Sequence, residues 1–123
     1  MPTPPSALEK YRAAVNANPR SAAAHANLGW GHYGLGQVME ALKAMQEALA
    51  LDPEYLEAEY GLALVHKASG AKPEAAAAFE RALVLAGQLE DRVRAQMLQR
   101  LIRGQINEIN SGDWNMGPHE TRG

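Results

Sequence analysis

A 34-residue period in the small residues constrains this chain more than any other feature. Alanine recurs at that spacing in two independent registers, and glycine recurs in a third. The residues are Ala7, Ala41 and Ala75; Ala14, Ala48 and Ala82; and Gly36, Gly70 and Gly104. One further register carries large apolar side chains, namely Tyr11, Met45 and Phe79. A fixed period of this length indicates a repeat array, in which each unit buries its apolar face by stacking on its neighbours.

The residues in these registers resemble the tetratricopeptide repeat. That family places Leu-Gly on a first helix, Ala and Phe on a second helix, and Pro at the end of the unit. The matching positions here are Leu28, Gly29, Leu62, Ala63, Ala41, Ala48, Ala75, Phe79, Ala82 and Pro53, whereas the family Trp and Tyr are absent at their usual positions. The resemblance covers about Ser6 to Gly104. It implies an all-α fold, a right-handed solenoid of antiparallel helix pairs comprising half a repeat, two full repeats and a C-terminal capping helix.

The order of signals along the chain predicts three segments: a disordered N-terminus at 1–5, a helical domain at 6–110, and a flexible tail at 111–123. Ser6 and Glu9 predict a capping box for the first helix, which matches the second helix of a repeat and therefore forms a half unit. Another helix is expected to start at Asp52-Pro53-Glu54, with the proline near its first turn. The capping helix is expected from Gln88 to about Asn110, with a break at Gly104 left open.

Composition excludes several classes of function. The formal charge of −2 gives no basic field for nucleic acid, and cysteine is absent, which removes disulfides and thiolate metal sites. No apolar run is long enough to insert into a membrane, and the first residues lack the apolar core of a secretion signal. A cytoplasmic protein is therefore expected, with a leader removed before residue 1 as the alternative.

Three patterns that suggest chemistry have simpler structural interpretations. Residues 29–34 fit G-x-G-x-x-G, but the repeat places these glycines in or at the end of a helix, without the strand that a dinucleotide site needs. His25 and His32 share a helix side, yet His66 repeats His32, which indicates a packing position filled twice. Adjacent acids such as Glu57 and Glu59 do not converge on a helix. We therefore expect no metal, no cofactor and no enzymatic activity.

The resemblance also implies a binding surface, because in this family the first helices of successive units line a concave groove. The corresponding residues are Asn27, Trp30, Tyr33, Glu57, Tyr60, Leu64, Lys67, Arg94 and Leu98. Aromatic side chains at such a face are the type that anchors interfaces. The alternative is that Trp30 and Tyr33 pack internally between helices. Of the Lys/Asn/Arg set that binds chaperone C-terminal carboxylates in part of this family, only Asn27 matches.

Two functions remain in competition at this stage, and both have another protein as partner. In the first, the groove of an adaptor holds a peptide or helix of the partner. In the second, the chain is a structural subunit or assembly factor, docked or homodimerised through the uncovered side of its half repeat. Trp114 in the tail is a separate candidate contact. The arginines of the capping helix, Arg92, Arg94, Arg100 and Arg103, form either a solvated outer face or a dock for an acidic partner segment.

Overall fold

The structure is a computed structural model that describes residues 6–111, and this part of the chain forms six α-helices. The helices are α1 (Ala7–Ala17), α2 (Ala22–Gly34), α3 (Val38–Leu51), α4 (Leu56–Ala68), α5 (Lys72–Gly87) and α6 (Arg92–Ser111). Each helix contacts the next one along the chain, and α2 also contacts α4. The helices pack as antiparallel pairs, α2 with α3 and α4 with α5, so the predicted repeat architecture is confirmed.

Side-chain caps start the first two helices. Ser6 Oγ accepts a hydrogen bond from the Glu9 N–H at 3.1 Å, and the Ser6 N–H donates to Glu9 Oε1 at 2.8 Å. This is the predicted capping box, which satisfies amides that have no partner inside the helix. Ser21 Oγ accepts in the same way from the Ala24 N–H. Both helices therefore begin where the sequence places a hydroxyl side chain.

Glycine closes the first helix of each full repeat. Gly36 and Gly70 have φ angles of 75° and 81°, in the left-handed region that costs glycine little. The residue after each glycine donates its N–H back to a helix carbonyl, Gln37 to His32 and Ala71 to His66, each at 2.9 Å. This is the hydrogen-bond pattern that commonly ends a helix at glycine. The third glycine of the register, Gly104, lies instead inside α6, which runs through it without a break.

Two helices begin later than the sequence predicts. The helix expected at Asp52-Pro53-Glu54 starts at Leu56, because Asp52 Oδ1 accepts from the Glu54 N–H and holds this segment in a turn. The capping helix expected from Gln88 starts at Arg92. The intervening residues lie outside the helix, and the Asp91 carboxylate caps the start of α6 by accepting from the Arg94 N–H.

Alanine at equivalent positions forms most of the core. Ala41, Ala48, Ala75 and Ala82 are fully buried, together with the larger side chains Met45 and Phe79. In α1 the equivalent residues Ala7 and Ala14 are exposed, and no residue of that helix is buried. The second helix of a repeat normally packs on its own first helix, and no helix among residues 6–111 occupies that place beside α1. Within the described residues, α1 therefore lacks the first helix that a full repeat would place beside it.

Candidate partner-binding site

The first helices of the two repeats and the helix that follows them bring predicted groove residues together around one pocket. We call it the groove pocket; its volume is about 100 Å³ and it is lined by Trp30, Leu56, Glu57, Tyr60, Arg94, Leu98 and Ile102. Trp30 lies on α2, Tyr60 on α4 and Leu98 on α6. Five of the nine predicted groove residues thus line the same cavity. Its walls are mostly apolar, and the exposed Glu57 and Arg94 add one charge of each sign.

Aromatic rings connect this pocket to the core. Trp30 meets Tyr33 edge-on with ring centroids 6.0 Å apart, and its centroid lies 6.4 Å from that of Tyr60. Tyr60 in turn contacts the buried Phe79 at 5.7 Å. Trp30 and Tyr60 are half-buried and pack against the core cluster. Trp30 therefore packs between helices and also lines the pocket, and its role as a groove anchor stays a prediction.

Glycines on α2 and α4 allow this close packing. A Cβ atom on Gly61 would lie 3.2 Å from Trp30 Cζ2, and one on Gly31 would lie 2.8 Å from Tyr11 Cδ2. Absence of a side chain therefore lets an aromatic ring lie against each helix backbone. Of the three glycines in the motif at 29–34, Gly29 and Gly31 therefore serve close packing inside α2, and Gly34 ends that helix. Neither a strand nor the start of a helix stands where nucleotide binding would require it.

Trp30 also borders a second cavity of about 400 Å³ at the α1 end of the molecule. This α1 pocket is lined by Ser6, Ala7, Leu8, Tyr11, Trp30, Gly31, Gly34 and Leu35. Trp30 is the residue that the two cavities share. It therefore divides the open surface of α2 into a side facing α1 and a side facing α4 and α6.

Lys67 lies where the sequence places it but is already bound within the molecule. Its Nζ donates to Gln105 Oε1 and to Glu108 Oε1, both at 2.7 Å, and the side chain is 17% exposed. These bonds tie α4 to α6. Lys67 is therefore a link between helices and not a free cation for a ligand.

Tyr60 shares this polar environment. Burial raises its pKa above the ordinary tyrosine value, and the nearby Tyr33 and Glu108 raise it further, whereas a hydrogen bond with Gln105 acts in the opposite direction. The phenol is therefore neutral over the physiological range. It offers the pocket a polar hydroxyl without a charge.

The remaining predicted residues lie outside the groove pocket. Asn27 is exposed, Tyr33 packs edge-on against Trp30, and half-buried Leu64 packs against the core. Trp114 lies outside the described residues. The sequence prediction missed Leu56 and Ile102, although each is four residues from a predicted one, Tyr60 and Leu98, and such a spacing places residues on one helix side.

Two of the histidines, His25 and His32, form local hydrogen bonds. His25 Nε2 lies 2.8 Å from the Pro19 carbonyl oxygen, and buried His32 Nδ1 lies 2.7 Å from Gln37 Oε1. Within residues 6–111, no group of three or more His, Asp or Glu side chains is arranged to hold a metal ion. The same part of the chain has no helix that is both long and apolar enough to span a bilayer.

Comparison with known proteins identifies first a class and then a family. The fold is that of helical repeat proteins, in which antiparallel helix pairs stack in series. A family model described as tetratricopeptide repeat matches residues 26–90, which is more than half of the chain. The chain therefore belongs to the tetratricopeptide repeat family, whose fold is non-catalytic. No curated protein matches it.

Solved structures of tetratricopeptide domains have the same fold. PcrH in complex with the chaperone binding region of PopD superposes with a TM-score of 0.77 at 17% identity, covering 85% of this chain and 77% of that chain. The first such domain of Spaghetti (RPAP3), bound to an HSP90 peptide, gives 0.64 at 21%, covering 81% and 77%. The Sgt2 domain from Aspergillus fumigatus gives 0.66 at 20%, covering 94% and 76%. At these identities the likeness concerns the fold alone.

Proposed function

We propose that this chain is a non-catalytic protein–protein interaction module, an adaptor whose concave groove binds a peptide or helix of a partner protein. The observation that carries the proposal is the groove pocket, where Trp30, Tyr60 and Leu98 from three helices meet around one mostly apolar cavity. Pockets with apolar walls and a few polar groups are typical of ligand sites. Two proteins of similar fold, PcrH and RPAP3, hold a partner segment in their solved structures.

The dimensions of the groove pocket indicate the kind of anchor that it accepts. Its volume of about 100 Å³ is smaller than the cavity of about 150 Å³ that holds benzene. One aliphatic side chain of the partner fits such a space better than an aromatic ring does. Arg94 and Glu57 then contact the polar backbone on either side. Lys67 is not available to bind a terminal carboxylate, because it is already paired with Glu108.

Trp30→Ala tests this proposal. Peptides are first selected from a random library displayed against the full chain, and their affinities are then measured by isothermal titration calorimetry. We expect the variant to lose about 2 kcal/mol or more of binding free energy, roughly thirtyfold in Kd, because truncation removes a central aromatic anchor. Val84→Ala is the control, since Val84 is exposed on α5 and lines none of these pockets. Unchanged affinity in a folded Trp30→Ala protein would contradict the groove assignment.

A second candidate is a structural subunit or assembly factor that docks, or dimerises, through α1. The favouring observation is that Ala7 and Ala14 are exposed whereas their equivalents in α3 and α5 are fully buried. Sedimentation equilibrium over a range of concentrations tests dimerisation. If α1 is the interface, Ala14→Glu is expected to convert the dimer to a monomer without changing the helix content. A wild-type protein that stays monomeric throughout excludes the homodimer.

A further inference from the structure

The outer face of α6 is apolar, and no other helix among residues 6–111 covers it. Val93, Met97 and Leu101 follow one another at four-residue steps, and their side chains are 69%, 62% and 50% exposed. That spacing puts all three on one side of the helix, opposite the buried Ala95 and Ile102. The other large exposed apolar residues, such as Val84, are scattered over different helices. A continuous row of this kind is characteristic of an interaction surface.

The repeat register shows that the apolar row of α6 lacks contacts with a second helix. Counting back 34 residues, Val93 and Met97 correspond to Glu59 and Ala63 of α4, which are 4% and 0% exposed. Glu59 Oε1 accepts from Nε of Arg81 at 3.0 Å, and Arg81 belongs to α5, the second helix of that repeat. The same positions in α6 have no second helix over them within residues 6–111. The α6 face therefore resembles the first helix of a repeat whose second helix is not among residues 6–111.

Gly104 lies on this same face, three residues beyond Leu101. A Cβ atom there would meet nothing within 4 Å, so packing inside the described part of the chain does not require glycine. Glycine in the middle of a helix is less stable than alanine. Because Gly104 has no side chain, the backbone of another helix can approach α6 closely at this position.

Positive charge flanks the row. Arg100 and Arg103 border one edge and Arg94 the other, and among residues 6–111 no acidic side chain pairs with these three guanidinium groups. The only acidic residue of α6 is Glu108, which is bound to Lys67. Arg100 and Gly104 also line both shallow depressions beside the row. An occupant with carboxylates along its edges complements this pattern.

We propose that Val93, Met97, Leu101 and Gly104, flanked by Arg100 and Arg103, form a docking face for an acidic amphipathic helix of another protein. That helix takes the place of the second helix of a third repeat. This α6 face shares Arg94, at its edge, with the groove pocket. Val93, Met97, Leu101, Gly104, Arg100 and Arg103 lie outside that pocket, so the two sites can be tested separately.

Charge disfavours a second copy of this chain as the occupant. Two α6 faces packed together bring Arg100 and Arg103 of both copies into proximity, and like charges at an interface oppose association. The α1 helix of a second copy is also poorly matched. It carries Lys10 and Arg12, and its one acid, Glu9, already accepts from the Ser6 amide.

Two synthetic helical peptides with the same leucine pattern, one flanked by glutamate and one by lysine, serve as probes. Fluorescence anisotropy measures their binding to the full chain at low and high salt concentration. The glutamate peptide is expected to bind at least tenfold more tightly, and salt is expected to weaken this binding. Arg100→Glu combined with Arg103→Glu, and separately Leu101→Ser, are each expected to weaken it at least tenfold.

Matched controls separate this site from a general charge effect and from the groove. Arg12→Glu combined with Arg20→Glu makes the same change in net charge away from α6, and Trp30→Ala alters the groove pocket. Neither is expected to change the affinity for the glutamate peptide by more than twofold. Circular dichroism confirms that each variant is folded. Loss of groove binding in Trp30→Ala with retained glutamate-peptide binding distinguishes the two proposals.

Four outcomes would overturn the inference. Equal binding of the two peptides would contradict the preference for an acidic helix. Undiminished binding by the Arg100→Glu, Arg103→Glu protein would contradict the assignment of the binding site to α6. Self-association that disappears in Leu101→Ser assigns the face to a second copy. A tenfold gain in peptide affinity in Trp114→Ala assigns it to residues 112–123 of the same chain.

Discussion

Replacement of Phe79 by alanine is expected to lower the free energy of unfolding by about 3–5 kcal/mol, as large-to-small changes of buried aromatics do. Phe79 is 0% exposed and is among the largest fully buried side chains in the part of the chain that the structure describes. Its ring supports Tyr60, with centroids 5.7 Å apart. Truncation therefore removes apolar contacts between α5 and the shared core, and also the support behind Tyr60, a residue of the groove pocket.

Chemical denaturation followed by circular dichroism measures the effect. A single domain has only about 5–15 kcal/mol of stability, so Phe79→Ala is expected to be partly unfolded at 37 °C. Phe79→Leu keeps most of the apolar volume and should lose less. Val84→Ala on the same helix changes an exposed side chain and is expected to stay within about 0.5 kcal/mol of the wild type. A loss below about 1 kcal/mol for Phe79→Ala would show that the ring is not packed as described.

The repeat register explains why so much of this fold is predictable from the sequence. Residues 34 apart occupy equivalent places, so the sequence alone assigns Met45 and Phe79 to the core, and Gly36 and Gly70 to helix ends. The register fails at Gly104, because no second helix follows within the described residues and α6 continues instead of turning. It also misplaces the starts of α4 and α6, where the carboxylates of Asp52 and Asp91 bind nearby amides.

The candidate site is less predictable, because it depends on how helices cross. The register places Trp30 and Leu98 at equivalent positions, and the structure brings both to one pocket. It does not reveal that Lys67 meets Glu108, 41 residues away in the chain, since that contact depends on the inclination of α6 against α4. Side-chain pairs of this kind follow from tertiary packing and have no local signal in the sequence.

Met45 and the two glycines beside it provide a test of packing. In this test, the effect of a glycine-to-alanine change on stability is expected to change sign when Met45 is shortened. Met45 is fully buried between α2 and α4. A Cβ atom on Gly29 would lie 2.9 Å from Met45 Cε, and one on Gly61 would overlap Cε and lie 2.7 Å from Sδ. Met45 therefore fills the space that the two glycines leave open, and a methyl group on either helix would require the end of the methionine side chain to move.

Met45→Ala alone is expected to cost about 2–5 kcal/mol through the cavity it creates, and Gly61→Ala alone about 1–3 kcal/mol through overpacking. In the Met45→Ala background, the Gly61→Ala change is expected to become stabilising by up to about 1 kcal/mol. Alanine favours the helix over glycine, and its methyl group then enters the vacated space while Trp30 moves by a few tenths of an ångström. The two substitutions are therefore expected to be strongly non-additive.

Denaturant unfolding of the wild type, both single variants and the double variant measures this coupling. Gly104→Ala is the matched control, because its Cβ atom meets nothing within 4 Å. That change is expected to stabilise the protein by about 0.5–1 kcal/mol in both backgrounds, from helix propensity alone. Additive effects of Met45→Ala and Gly61→Ala would mean that the glycine does not accommodate the methionine. The close approach of α4 to α3 would then need another cause.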